Sequence, residues 1–250
     1  MEEEDPKLVR FVKRRLQPPS ILPYNLTNPN KIHYSQYGQS KLLDEKFIHG
    51  MVGGVFVEAG ALDGEHLSNT LYLEKHLGWS GILVEPMPSS YELLRKKNRH
   101  AYILNAALST TKNASQIIIR WKGEHGGASQ MIKREGRMNR KMKGNDGKKD
   151  VKVISVPFFS IFLALNVTQI DFLSLDLEGA ELQVLKTVPW EKVRVRVMCV
   201  ECNKVRPPAL ISYLTSVGYR HLGNYGIDCW FGWPSLLDET LSNTKSKKSQ

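Results

Sequence analysis

The sequence predicts an α/β fold built on a mainly parallel sheet, and three observations carry that expectation. Short unbroken apolar runs recur along the chain, stretches of helical length separate them, and several runs end on an acidic residue. Apolar strands alternating with amphipathic helices describe a sheet covered on both faces. The 250 residues, 41% apolar and 24% charged, are also enough to bury one ordinary core.

Residues 1–40 are polar and punctuated by Pro6, Pro18, Pro19, Pro23 and Pro29, which suits an extended arm laid on a domain. Within it only Asp5 to Leu16 offers a short helix. The domain is expected over residues 41–235. Its first strand is Gly54–Glu58, followed by a helix over Ser68–Leu77, a strand at Gly81–Glu85 and a helix over Ser89–Arg99. Ser89-Ser-Tyr-Glu92 reads as a capping box for that helix. Tyr102–Asn105 is a third strand and Gln116–Arg120 a further candidate.

The second half repeats the scheme. Ile170–Asp176 reads as a strand, Gly179–Val188 as a helix stopped by Pro189, and Val195–Glu201 as another strand. Pro207 and Pro208 open a helix whose apolar stripe is Leu210, Ile211, Leu214 and Val217, with Gly218 at its end. Tyr219–Tyr225 and Ile227–Trp233, broken at Gly226, read as a closing hairpin, and residues 236–250 as a disordered basic tail.

Charge is concentrated. Lys and Arg exceed Asp and Glu by 35 to 25, and +6 of that excess lies between Lys133 and Lys149. That run falls in a segment, about 123–150, read as a mobile basic loop. An acidic membrane surface is a partner it could meet; nucleic acid is not expected, because no aromatic residues are interleaved to stack on bases. The longest apolar run, Ile161–Leu165, is far short of the ~20 residues a membrane-spanning helix needs. The acidic start Met-Glu-Glu-Glu-Asp does not resemble a signal peptide, so the chain as written reads as cytoplasmic. Cys199, Cys202 and Cys229 are too few for a zinc site or a disulfide framework, and buried thiols are the default. Three glycosylation sequons, at Asn25, Asn113 and Asn166, matter only in the secretory pathway.

In an open α/β sheet, ligands bind beyond the carboxyl ends of the strands. Three such ends stand out. Glu58-Ala-Gly60-Ala-Leu-Asp63-Gly64 pairs two acids with two glycines; it lacks the dinucleotide spacing, and its carboxylates suit a cation better than a phosphate. Glu85 ends the second strand, where a carboxylate can take both hydroxyls of a ribose. Asp176-Leu-Glu178-Gly179-Ala-Glu181 places three acids at a strand-to-helix turn. Glu178 and Glu181 are accounted for by the positive end of the next helix, whereas Asp176 on a strand tip is costly unless something binds it.

These residues resemble the FkbM family of S-adenosylmethionine-dependent methyltransferases, above all through Ile170-Asp-Phe-Leu-Ser-Leu-Asp-Leu-Glu-Gly-Ala-Glu-Leu-Gln-Val-Leu185 with Gly60, Gly64 and Glu85. Gln39–Glu45, Phe56–Glu65, Ser68–Leu71 and Phe158–Asn166 are similar to the arthropod Star-like branch. The resemblance implies a class I, Rossmann-like methyltransferase fold with a mainly parallel seven-stranded sheet and an antiparallel edge hairpin. It implies S-adenosylmethionine as cofactor, with Glu58, Gly60, Asp63 and Gly64 around its methionine part, Glu85 on the ribose, and Asn105, Ala106 and Ala107 along the adenine. Asp176 is then the expected base for a hydroxyl acceptor, a small molecule or a glycan, with Glu178 next and His66 an alternative. A metal held by Asp63, Asp176 and Glu178 is not expected, since no histidine pattern accompanies them.

The Star-like resemblance implies a second function, a non-catalytic trafficking or binding protein that keeps the fold. It acts on secretory cargo between endoplasmic reticulum and Golgi in vesicle-mediated transport. In that version the chain either is a soluble relative or begins downstream of an anchor helix, and Cys229 approaches a thiol of the neighbouring strand, with Cys202 the candidate.

Overall fold

A computed structural model of the protein describes residues 1–121, 131–132 and 149–238. In chain order the elements are α1 (Pro6–Arg15), α2 (Gln39–Leu43) running into a π-helical turn (Asp44–Ile48), β1 (Val55–Ala59), α3 (Leu71–Leu77), β2 (Ser80–Val84), α4 (Pro88–Lys96), β3 (Tyr102–Leu104), β4 (Ala107–Leu108) and β5 (Ser115–Trp121). They continue with β6 (Met131–Ile132), β7 (Lys149–Val156), α5 (Phe158–Leu165), β8 (Gln169–Leu175), α6 (Glu181–Leu185), β9 (Arg194–Glu201), α7 (Pro207–Ser216), β10 (Arg220–Tyr225) and β11 (Asp228–Gly232).

Seven strands form the main sheet in the order β10-β11-β9-β8-β1-β2-β3. The pairs β9–β8, β8–β1, β1–β2 and β2–β3 are parallel, while β11 runs against both β9 and β10. This is the expected parallel sheet with its edge hairpin. Because side chains alternate along a strand, the sheet buries two apolar faces. Val57, Ile82, Leu173 and Met198 join one core, and Phe56, Leu83, Phe172 and Val197 the other.

The arm covers one of these cores. Leu8 and Val12 on α1 are fully buried in it alongside Phe158 and Phe162 of α5, and Ser160 Oγ donates to the Glu3 carbonyl at 2.7 Å. Asp5 caps α1 by accepting from the Lys7 N–H at 2.8 Å, and Pro6 occupies the first turn. Farther on, Gln17 and Ile103 exchange both backbone hydrogen bonds at 3.0 Å, so the arm pairs along the outer side of β3.

One sequence expectation is corrected here, and two features absent from the sequence reading are added. The capping box fails: α4 starts at Pro88, with Met87 as cap and no side-chain capping bond, and Glu92 instead pairs with Arg95 at 3.0 Å. A second sheet, β4-β7-β5-β6, was expected only as the single strand at Gln116–Arg120. The unassigned apolar run Phe158–Leu165 is a helix. Of the basic loop, 122–130 and 133–148 lie outside the described residues, as does the tail from 239, while Met131–Ile132 and Lys149 onward pair as strands. Among the described residues no helix is long and apolar enough to cross a membrane.

Candidate functional site

A cavity of about 630 Å³ opens at the carboxyl ends of β1, β2, β8 and β9, a size that suits a small molecule. Its walls come from every expected direction. The turn after β1 supplies Gly60 to Leu62, the end of β2 supplies Glu85, and the segment after β3 supplies Ala106 and Ala107. Asp176 and Glu178 follow β8, Glu201 closes β9, and the arm brings Gln36, Tyr37 and Gln39 to the rim.

The backbone at β1 and β8 explains why glycine stands at 60. Gly60 adopts φ +90° and donates its N–H to the Val84 carbonyl at 2.9 Å. A β-carbon there would overlap the carbonyl oxygen of Asp176. Leu62, Leu67 and Glu178, all on the cavity wall, also adopt positive φ although they carry side chains. Such conformations persist where surrounding contacts impose them, as they do at binding sites.

Glu58 is buried and its two oxygens are already engaged: Oε1 accepts from the Asn69 N–H at 2.6 Å, and Oε2 from Ser68 Oγ at 2.9 Å and Thr70 Oγ1 at 2.5 Å. Behind this loop the fully buried Arg99 bonds to Glu74, Ser68 and Thr70. Burial raises the Glu58 carboxyl, and Arg99 and the loop donors oppose that rise. Glu58 therefore fastens the Ser68–Thr70 loop while lining the cavity, and Asn69 lines it beside Glu58. Asn69 Nδ2 donates to Ser174 at 2.9 Å, while its buried Oδ1 has no partner.

Glu85 accepts from the Leu62 N–H at 2.9 Å and the Met87 N–H at 2.8 Å. Burial pushes its carboxyl up to about 7 against those two donors. Asp176 is exposed, yet its open surface faces into the cavity, where surrounding protein displaces bulk water. That desolvation, then Glu201, Glu178 and Glu181 nearby, raise its carboxyl well above the usual range. Glu178 ion-pairs with Lys204, which also reaches Glu201 at 3.3 Å.

Seven of the ten expected site residues, Glu58, Gly60, Glu85, Ala106, Ala107, Asp176 and Glu178, share this cavity. Three do not line it. Asp63 turns away to accept from the Glu65 and His66 backbone N–H groups, and lies 3.7 Å from Lys97. Gly64 is required by φ +77° and by Leu94, which fills the place of a β-carbon. Asn105 braces the loop after β2 through the carbonyls of Glu85 and Pro86, at 2.8 and 3.2 Å. The sequence reading passed over Asn69 and Glu201; Glu201 ends a strand beside β8, so the rule that picked Asp176 applies to it equally.

An α/β sheet of this order with an acid-lined crevice at its parallel strand tips is an arrangement for holding a small cationic ligand. A model of the methyltransferase FkbM domain matches residues 58–221, and the chain belongs to that family. No curated protein sequence matches it. Among solved structures it is similar to the FkbM methyltransferase of Methylobacillus flagellatus, with 14% identity, TM-score 0.45, and coverage of 91% of this chain and 58% of that one. It is also similar to a TehB-like methyltransferase of Corynebacterium glutamicum, at 12% identity, TM-score 0.42 and coverages of 80% and 89%. A precorrin-6y C5,15-methyltransferase of Geobacter metallireducens gives 10% identity, TM-score 0.42 and coverages of 81% and 89%.

The family implies S-adenosylmethionine as cofactor, and the residues present fit it. Among the described residues, six acids line the cavity (Glu58, Glu85, Asp176, Glu178, Glu201 and Asp228) against Lys204 as the one lysine or arginine, a balance suited to a sulfonium and an ammonium. The buried, unpartnered Asn69 Oδ1 is an acceptor at which a ligand ammonium would be received.

Proposed function

We propose that the chain is an O-methyltransferase that uses S-adenosylmethionine to methylate a hydroxyl of a small-molecule or glycan acceptor. The observation that carries this reading is the position of Asp176, an open carboxylate on the tip of β8, immediately beside the Gly60 turn. Asn69 receives the ammonium and Glu85 the ribose hydroxyls, while Ala106 and Ala107 leave flat room for a base. S-adenosylmethionine, when bound, supplies an electrophilic methyl group on sulfur. An acceptor hydroxyl within hydrogen-bond reach of Asp176 gives its proton to that carboxylate as its oxygen bonds to the methyl carbon and the carbon–sulfur bond breaks. Gln36, Tyr37 and Ile119, on the remaining wall, face the acceptor side.

The reading is tested by calorimetry with S-adenosylmethionine, followed by methyl transfer from labelled S-adenosylmethionine to a panel of polyols and oligosaccharides. Binding to the native chain, loss of binding in Gly60→Arg, and binding without transfer in Asp176→Asn are expected. Full transfer by Asp176→Asn removes Asp176 from the base role, and no binding by the native chain overturns the reading.

One observation favours a second reading, the Star-like trafficking module of the secretory pathway. Cys202, just past the end of β9, and Cys229 of β11 form a disulfide, and such bonds persist in oxidising compartments. Cys199 stays a free, buried thiol. Retention of the bond in protein isolated from cells, read by mass spectrometry after thiol blocking, supports a secretory location; a fully reduced pair removes that support.

A further inference from the structure

Three carboxylates from three elements converge beside the cavity. Asp176 follows β8, Glu181 opens α6 and Glu201 ends β9, and one oxygen from each lies within 4.8 Å of the others. Glu181 and Glu201 are 0% and 4% exposed. Glu181 Oε1 is engaged by the N–H groups of Leu177 and Gly179, at 2.7 and 3.0 Å, and Glu201 Oε1 by Lys204. The second oxygen of each, Oε2, is buried with no hydrogen-bond partner. Buried polar atoms are almost always partnered, so two orphaned carboxylate oxygens in one cluster mark a place where a partner belongs.

Charge leads to the same place. Among the described residues, the four acids Asp176, Glu178, Glu181 and Glu201 are met by one ion-pairing side chain, Lys204, which reaches Glu178 and Glu201.

We propose that Asp176, Glu181 and Glu201 bind a hard divalent cation, magnesium or manganese, on the acceptor side of the cavity. All three donors are oxygens, the set that selects magnesium, calcium and manganese over softer metals. Oxygens on opposite sides of one such ion stand about 4–5 Å apart, so the observed spacing encloses one ion with little movement. These residues are not the set weighed from the sequence: Asp63 is turned away and Glu178 is held by Lys204.

The ion's role, though not its binding, rests on the methyl-transfer reading. Asp176 and Glu201 present it to the cavity, leaving coordination positions for water or an acceptor oxygen. A coordinated hydroxyl would be more acidic, so its proton would pass more readily to the second oxygen of Asp176 as the hydroxyl oxygen bonds to the methyl carbon and the carbon–sulfur bond breaks, its electron pair going to the departing thioether. The acceptor class narrows to molecules that offer a hydroxyl able to coordinate, such as a sugar diol.

The test uses the full chain freed of metal with EDTA and titrated with manganese(II) chloride, following loss of the free-ion signal by electron paramagnetic resonance. S-adenosylmethionine binding is measured separately by calorimetry without metal. One manganese per chain is expected, weakened at least about tenfold in Glu181→Gln and in Glu201→Gln, with circular dichroism melts confirming that both variants fold. Equal manganese binding by the folded variants overturns the proposal, and so does no binding by the native chain. If either occurs while S-adenosylmethionine still binds, the methyl-transfer reading stands alone. Manganese bound without S-adenosylmethionine supports the cation site and overturns that reading instead.

Discussion

Asp176 and Gly60 are locked together through their backbones. The Asp176 N–H reaches Ala59 at 3.1 Å, and its carbonyl oxygen occupies the space that a β-carbon at position 60 would need. The turn proposed to receive the cofactor and the residue proposed to accept the proton are thus fixed relative to each other without any side-chain bond.

Gly60→Ala breaks that arrangement. The φ of +90° and the overlap with Asp176 together are expected to cost about 1–3 kcal/mol. Urea unfolding reads the stability, and calorimetry should show S-adenosylmethionine binding lost or strongly weakened. Unchanged binding would mean that the two strand tips can separate freely.

Glu85 sets a pH dependence. Its carboxyl is raised to about 7 in the folded chain, against about 4.3 when unfolded. The stability it contributes is complete below the unfolded value and is lost as pH rises through about 7. Thermal melts of the ligand-free protein should show this slope flattened in Glu85→Gln. Because ribose hydroxyls need the ionised form, S-adenosylmethionine affinity should fall about tenfold from pH 8 to pH 6. A flat affinity profile would exclude Glu85 from that contact.

Arg99 and Glu74 form a buried ion pair at 3.0 Å that supports the Ser68–Thr70 loop. Arg99→Met leaves Glu74 uncompensated and is expected to cost about 3–5 kcal/mol. Chemical denaturation measures it, and a loss below about 1 kcal/mol would show that water reaches the pair.

The Cys202–Cys229 bond closes a loop with a sequence separation of 27. Loop closure of that length contributes about 3.5 kcal/mol. Cys229→Ser should lower the urea midpoint accordingly, and added reductant should shift the native chain to the same midpoint. No shift in either experiment would mean that the two thiols are not joined in solution.

The parts of this fold that were legible in the sequence are those where one physical signal acts alone. Val55–Ala59, Gln169–Leu175 and Arg194–Glu201 are buried on both faces, so their apolar runs announce them. In β7, Lys149, Asp150 and Lys152 alternate with Val151 and Val153, and the charges made its start look like loop. The α5 sequence Phe-Phe-Ser-Ile-Phe-Leu-Ala-Leu is buried nearly all round, which erases the helical period that would reveal it. Within the site, strand ends gave Gly60, Glu85 and Asp176. Asn105 is oriented by carbonyls of the loop after β2, far away in the chain, which spacing does not encode, whereas Asp63 is turned by the N–H groups of Glu65 and His66 in a local turn.

The pairing of Gln17 with Ile103 has a consequence for how copies of this protein can meet. On the outermost parallel strand both main-chain groups of Ile103 are already taken by the chain's own leader. A neighbouring molecule approaching that flank finds no vacant rung on which to continue the ladder, so fibre-like growth across that border is closed off.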